Sequence, residues 1–260
     1  MKTYTKDSLI ASLKEIREMG WIPSARQGNA GGVGNTIEDL LGIEENNLPI
    51  PNAAEWELKA QRIDSTSLTT LFHMEPSPTA CRFVPQILLP KYGWRHKEAG
   101  GKYGSNEMSF RQTINANIYS DRGFSVNVDR NERKISVVFE SHRTDGRPGI
   151  WLDSVRTRAG LSGLDPTPYW GFDDLFHKVG TKLHNCFYLG AKRKKEGNIE
   201  YFHYTEIMML RGLSQDKFVT AVEEGDVYVD FDARTGHNHG TKFRIKQNSI
   251  PKLYAEMIRL

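Results

Sequence analysis

The chain is poor in the residues that would staple or anchor it. Its 260 residues include two cysteines, Cys81 and Cys186. These are too few and too far apart for a disulfide framework or a zinc site. No apolar run is long enough to span a bilayer, and no secretory pattern opens the sequence. Residues Met1 to Glu18 carry charges throughout and read as an amphipathic helix with Leu9, Leu13 and Ile16 on one side. Repeats and low-complexity tracts are missing as well. An excess of either charge is lacking: 35 Lys and Arg against 32 Asp and Glu leave a net +3, which permits a polyanionic partner without predicting one, so the distribution matters more than the sum. What remains is an ordinary globular composition, suited to one large domain or a domain with a small lobe. A reducing, cytoplasmic setting is the expectation, with no membrane partner.

A pass along the chain predicts alternating helices and strands. After the first helix (roughly 6–19) comes a Gly-rich loop, Gln27 to Asn35, then a second helix from Thr36 to about Gly42. Pro51 to Lys59 reads as a turn running into a strand. Ser67 to His73 reads as another strand, ended by Pro76 and Pro78, and Phe83 to Leu89 as a short helix. Pro90 to Asn106 is loop-like. Residues 113–140 alternate as a meander, with Phe124, Val126 and Val128 followed by Ile135, Val137 and Phe139. Residues 142–168 are rich in Gly, Pro and Arg and are expected to be irregular. A helix at 172–183, strands at 184–193 and 200–209, a helix at 213–223, strands at 226–232 and 241–246 and a short final helix complete the order. This succession predicts an α/β or α+β fold with a mixed central sheet.

Three segments carry chemistry. In Glu55-Trp56-Glu57-Leu58-Lys59, strand alternation puts Glu55, Glu57 and Lys59 on one face. Two carboxylates and an ammonium can hold a divalent metal, activate water and offset phosphate charge. The plain alternative is the solvated face of an ordinary strand. The Gly-rich stretch from Gly28 to Gly42 allows close backbone approach to a phosphate at a helix start, yet matches neither a P-loop nor a dinucleotide fingerprint. A plain flexible turn before a helix is the simpler explanation of the segment taken alone. Glu38 is expected in the first helical turn, where compensation of the macrodipole is its simplest role. His73, at a strand end, is either solvated or a base-edge or phosphate contact. The third segment, Asp232 to Lys246, packs Arg234, His237, Asn238, His239, Lys242 and Arg244 around Gly236 and Gly240. Those donors suit guanine edges or phosphates. A His-x-His metal pair and a basic solvated hairpin remain open beside that reading.

Taken in order, Gly28 to Gly42, Asn46-Asn47-Leu48, Glu57-Leu58-Lys59, Leu71-Phe72-His73, Tyr169 to Asp173 and Gly236 to Arg244 resemble the MvaI/BcnI family of type II restriction endonucleases, relatives of the MutH mismatch-repair nuclease. The resemblance runs from the first helix to the last. It implies a restriction-endonuclease-like PD-(D/E)XK core, with a mixed central sheet flanked by helices. It also implies Mg²⁺ as cofactor, with Mn²⁺ as a substitute and Ca²⁺ supporting binding without cleavage. The implied partner is double-stranded DNA carrying a short CC-N-GG-type site, cut by a monomer, with a cognate DNA methyltransferase in the same system. The resemblance also implies a single endonuclease unit over 1–260, divided into a catalytic lobe (roughly 1–140) and a recognition lobe (roughly 141–260).

Residue by residue, the resemblance implies a metal-binding carboxylate at Glu57 and a lysine near water and scissile phosphate at Lys59. Glu38 matches an additional helix glutamate. Arg234, His237, His239, Lys242 and Arg244 fall in the segment that reads bases, and His73 matches a histidine of the member that cuts CCSGG. One position departs: the family's first metal ligand is an aspartate, and Asn52 stands there. An amide oxygen can coordinate Mg²⁺ but brings no charge. Either Glu55 or Glu38 supplies the missing charge, or Asn52 is a change made to trap a DNA complex, or the protein binds DNA without cutting it. An endonuclease and a catalytically silent DNA-binding protein are therefore both carried forward, with a non-DNA enzyme as a third class.

Overall fold

The computed structural model describes residues 4–24, 26, 31–43, 53, 55–146 and 149–260. Helix α1 (Lys6–Glu18) is followed by β1 (Ile22–Pro23), α2 (Gly32–Leu41), β2 (Glu57–Arg62) and β3 (Thr69–His73). A π-helical segment, Val84–Tyr92, leads to β4 (Trp94–Arg95), β5 (Met108–Ile114), β6 (Arg122–Asp129) and β7 (Lys134–Thr144). Then come α3 (Gly149–Ala159), β8 (Tyr169–Gly171), α4 (Phe172–Leu183), β9 (Asn185–Glu196) and β10 (Ile199–Leu213). The chain closes with α5 (Gln215–Glu223), β11 (Val227–Arg234), β12 (His237–Asn238), β13 (Lys242–Ile245), a 3₁₀ segment (Gln247–Leu253) and β14 (Tyr254–Arg259). This is the expected mixed α and β composition. Among the described residues no helix is long and apolar enough to cross a membrane.

The chain forms two compact units that interleave along the sequence, where a contiguous division near residue 140 was expected. The first comprises Met1–Thr69, His177–Lys217 and Lys246–Leu260. The second comprises Thr70–Phe176 and Phe218–Ile245.

The first unit is built on the mixed sheet β1-β10-β9-β2, with β14 also paired to β10. Strands β2 and β9 run parallel, Glu57 opposite Cys186 and Lys59 opposite Tyr188, while the other pairs are antiparallel. Residues Cys186 to Ala191 are buried without a break, the pattern of a strand covered on both faces. Helices α1 and α2 supply one cover through Leu9, Leu13 and Ile16 and through Val33, Ile37 and Leu41. These pack with Trp56, Leu58, Phe187, Leu189 and Tyr204. Thr5 caps α1 by accepting from the Ser8 N–H, and Tyr204 donates from its hydroxyl to the Val33 carbonyl at 2.7 Å. Since Leu58 faces this core, its strand neighbours Glu57 and Lys59 face the other way.

The second unit holds the sheet β3-β13-β11-β5-β4, with β12 on β11, and a smaller sheet β6-β7-β8. Its interior is aromatic: Tyr92, Phe110, Phe124, Phe139 and Trp151 form one group, and Phe72, Trp170, Phe218 and Phe243 another. Each ring removes a large apolar area from water, and the edge-to-face pairs add to that gain.

Several expectations change here. Residues 142–168 are not irregular throughout, because α3 buries Trp151 and Val155 four residues apart. The Trp151 indole donates to the Tyr92 carbonyl at 2.8 Å, and Arg158 donates to the Pro90 and Gly93 carbonyls at 2.7 Å each. The final helix is instead a 3₁₀ turn followed by β14, which pairs antiparallel with β10 from Leu213↔Tyr254 to Met208↔Arg259. Pairing with that strand outweighs the helical preference of Ala255, Glu256 and Met257. Helix α2 starts at Gly32, four residues earlier than expected, so Glu38 lies in its second turn and the macrodipole role lapses.

Candidate active site and recognition hairpin

Glu57 opens β2 with only 2% of its surface exposed. Its Oε1 receives two ammonium groups, Lys59 Nζ at 3.2 Å and Lys182 Nζ at 3.7 Å. Lys182 arrives from the last turn of α4. The other oxygen, Oε2, is buried and has no hydrogen-bond partner among the described residues. An orphaned buried carboxylate oxygen is costly unless something else binds it. Below lies Cys186, wholly buried, its thiol pushed up to about 12 by burial, with the Glu57 charge adding to the shift and Lys59 and the Tyr254 bond opposing it. Burial likewise raises Tyr254 well above the usual phenol range, with Cys186 and Glu57 adding to it. The floor of the site is therefore uncharged at neutral pH and of low polarity, which strengthens every charge interaction above it.

In the second unit the segment from Val227 to Ile245 folds back on itself. Arg234 pairs with His237 and Ala233 with Asn238 across the two-residue turn Thr235-Gly236. Gly236 has φ 70°, a left-handed conformation that glycine adopts at no steric cost. The His239 N–H donates to the Asp232 carbonyl at 3.0 Å, and Gly240 N–H to Asn238 Oδ1 at 3.0 Å. Glu75 fixes the return from this turn into β13: it accepts from the Thr241 N–H at 2.9 Å, from Thr241 Oγ1 at 3.0 Å and from Asn238 Nδ2 at 3.5 Å. The result holds His237, Asn238 and His239 exposed, with the two imidazoles edge to face at 4.3 Å between centroids. A cleft of about 810 Å³ borders the hairpin, lined by Pro76, Phe83, Leu89 and Met108 together with Arg234 and His237.

The adjoining sheet face alternates charges. Arg244 pairs with Asp230 at 3.2 Å and Arg111 with Asp232 at 2.9 Å, while Thr113 donates to Asp230 at 2.8 Å. Lys242 lies opposite Asp230 in register, half-buried.

A family model described as the MvaI/BcnI restriction endonuclease family matches residues 10–254. The chain belongs to that family. It is accordingly a nuclease-type enzyme with a restriction-endonuclease fold. No curated protein matches the chain. Among solved structures, one described as the restriction endonuclease MvaI–cognate DNA substrate complex matches with a TM-score of 0.77 at 22% identity, covering 99% of each chain. Another, restriction endonuclease MvaI in the absence of DNA, matches with a TM-score of 0.57 at 23% identity, covering 100% of this chain and 99% of that one. At such identities the likeness carries the fold.

Against the expectations drawn from strand alternation and from the MvaI/BcnI resemblance, the placement of the residues is uneven. Glu57 and Lys59 do share a face and an ion pair. Glu55 does not join them: Ala53 and Trp56 exchange both backbone hydrogen bonds at 2.9 Å, leaving Glu55 exposed in the turn between, where it accepts from the Trp56 indole. Strand alternation begins only at Glu57, so it cannot orient Glu55. Glu38 is half-buried on α2, whose inward stripe is Val33, Ile37 and Leu41. Among the described residues no three His, Cys, Asp or Glu side chains group closely enough to hold a metal, so Glu38, Glu55 and Glu57 form no ligand cluster. Asn52, Asn46 to Leu48 and Gly28 to Ala30 lie outside the described residues.

His73 is not on a strand next to β2. It ends β3, which pairs with β13, and its Cδ2 lies 3.5 Å from where a Cβ on Gly240 would sit. It therefore flanks the hairpin itself. Arg234 is already engaged, by Glu107 at 3.0 Å and with its guanidinium 4.6 Å from the Tyr103 ring centroid. Two residues were missed. Glu75 stands two residues beyond the end of β3, and strand periodicity does not reach it. Lys182 had no local signal, because the parallel pairing of β2 with β9 is what brings it to Glu57.

Proposed function

We propose that this protein is a Mg²⁺-dependent endonuclease that hydrolyses one phosphodiester bond in each strand of double-stranded DNA within a short CC-N-GG-type site, leaving 5′-phosphates. Membership of the MvaI/BcnI family supports sequence-specific DNA cleavage as the coarse activity, and a similar fold has been solved as a complex with cognate DNA. The observation that carries the finer reading is Glu57: a buried carboxylate with Oε1 held by Lys59 and Lys182 and Oε2 without a hydrogen-bond partner among the described residues. Such an oxygen fits a hard divalent cation, with the Asn52 amide as a second oxygen ligand. When bound, a Mg²⁺ ion there would supply Lewis acidity and a more acidic water. The chain's own work is positional. Lys59 donates to a non-bridging oxygen of the scissile phosphate and steers the attacking water from its place beside Glu57. The buried floor formed by Cys186 and Tyr254 keeps bulk water from screening that charge.

Catalysis is assigned to the first unit and sequence reading to the second. His237 and His239 reach base edges with Arg244, whose guanidinium is oriented by Asp230. Lys242 and Lys246 serve phosphates, and His73 supports the loop at Gly240 while facing the central base pair. Arg234, tied to Glu107, holds the hairpin base. The protein acts as a monomer in the cytoplasm, beside a methyltransferase that protects the same site.

Asn52 favours a second reading, a DNA-recognition protein that does not cut, because it removes one anionic ligand. Incubation with supercoiled plasmid in Mg²⁺ separates the two. Linear product in Mg²⁺, none in chelator and none from Glu57→Gln supports the nuclease. Shifted but uncut plasmid in Mg²⁺ and Mn²⁺ supports the silent binder.

A further inference from the structure

The Glu57 cluster carries an excess of positive charge among its described side chains. One carboxylate faces two ammonium groups, at 3.2 and 3.7 Å, and both approach the same oxygen. Asn52 contributes no charge, and Glu55 is turned to the Trp56 indole. Lys59 is accounted for by the resemblance to the family. Lys182 is not: it comes from a different element, the C-terminal turn of α4, and is about one-quarter exposed. Compensation of that helix terminus would need no carboxylate partner. Instead the side chain extends to a group that is 3% exposed.

We infer that Lys182 is a positioning residue that makes divalent-cation uptake at Glu57 conditional on bound DNA. The inference rests on the assignment of Glu57 as a metal ligand. In the free protein the three charges sum to one positive, and the burial around Cys186 keeps water from screening it. A dication approaching Oε2 is repelled by both ammonium groups. A DNA phosphate beside them brings the sum to zero, so the net repulsion is lifted and the same Oε2 can take a cation. Holding Oε1 also fixes the carboxylate orientation, so Oε2 keeps its direction through both states. Lys182 thus strengthens metal-free DNA binding and weakens DNA-free metal binding, and by linkage each ligand then promotes the other.

Calorimetric titration of Ca²⁺ tests this, on the whole protein alone and on the protein saturated with sonicated duplex DNA, with DNA-only blanks subtracted. Wild type should bind Ca²⁺ at least about tenfold more tightly with DNA, the scale of an ordinary coupling. Lys182→Met should tighten Ca²⁺ binding to the free protein by about tenfold, since one repelling charge near the site is gone. It should also lower DNA affinity in chelator. Lys182→Arg should behave as wild type, which separates charge from packing, and Lys182→Gln repeats the measurement should the Met variant fail to fold. Ca²⁺ binding to free Lys182→Met no tighter than to wild type overturns the inference about Lys182 alone. Undiminished Ca²⁺ binding to DNA-bound Glu57→Gln overturns the assignment of Glu57, and the inference with it.

Discussion

Removing the Glu75 carboxylate should loosen the hairpin that presents His237 and His239. Thr241 is fully buried, and Glu75 accepts both its N–H, at 2.9 Å, and its hydroxyl, at 3.0 Å. In Glu75→Ala both donors lose their acceptor. A buried donor left unsatisfied costs about 1–3 kcal/mol. Glu75 itself is exposed, so water reaches part of the gap and the low end applies to each, for a total of about 2–3 kcal/mol. With a urea m-value of about 3 kcal/mol/M for a chain of this size, the midpoint should fall by roughly 0.7–1 M. Glu75→Gln keeps a carbonyl oxygen for the Thr241 N–H and puts an amide donor opposite the Thr241 hydroxyl, which can turn to accept it, so the cost should fall to about 1 kcal/mol. Slack in the loop should also cut the ratio of cognate to random DNA affinity by about tenfold or more, equivalent to about 1.4 kcal/mol. Urea denaturation followed by fluorescence, with filter binding at fixed salt, measures both. A Glu75→Ala protein with an unchanged midpoint and unchanged discrimination would refute the claim that this carboxylate holds the loop.

The other predictions concern the site and its surroundings. Lys59→Ala should lower single-turnover cleavage by orders of magnitude with little loss of DNA affinity, because the group acts on the transition state; equal loss of both would make it a binding residue. Asn52→Asp should raise cleavage in a Mg²⁺ titration by supplying an anionic ligand, and a flat or lower response would contradict that role. Arg244→Ala should cost about 1–3 kcal/mol on the cognate site and far less on random duplex. Lys246→Ala should weaken both alike and reduce the salt slope by about one. Cys186, with its thiol pushed up to about 12, holds a thiolate fraction on the order of one in ten thousand near pH 8. A thiol reagent should therefore modify Cys81 alone in the native protein and both cysteines in denaturant, and native reaction at Cys186 would contradict its burial.

The pairing of Glu57 with Lys59 was legible because a period of two is a property of the backbone: once β2 starts at Glu57, Lys59 must share its face. The same rule misplaced Glu55 by extending the strand two residues back into the turn, which closes through the Ala53–Trp56 hydrogen bonds. The hairpin was legible from Gly236 and Gly240, which mark the positions where φ turns positive. Helix α3 was hidden by the Gly, Pro and Arg residues around it, although Trp151 and Val155 carry the helical spacing. Strand β14 was read as a helix from local preference, and only its β10 partner decides otherwise. The neighbours of His73 and the approach of Lys182 depend on strand pairing between segments more than a hundred residues apart, which local patterns do not record.

The central claim is that one protein both reads a short duplex site and hydrolyses it through Glu57. Sequencing the ends of fragments from a random-sequence plasmid library, digested in Mg²⁺ by wild type and by Glu57→Gln, tests it most directly. The account predicts ends at one fixed position within a CC-N-GG-type site, each bearing a 5′-phosphate, and none from the variant. Ends scattered without a common sequence, or the same ends from Glu57→Gln, would contradict it.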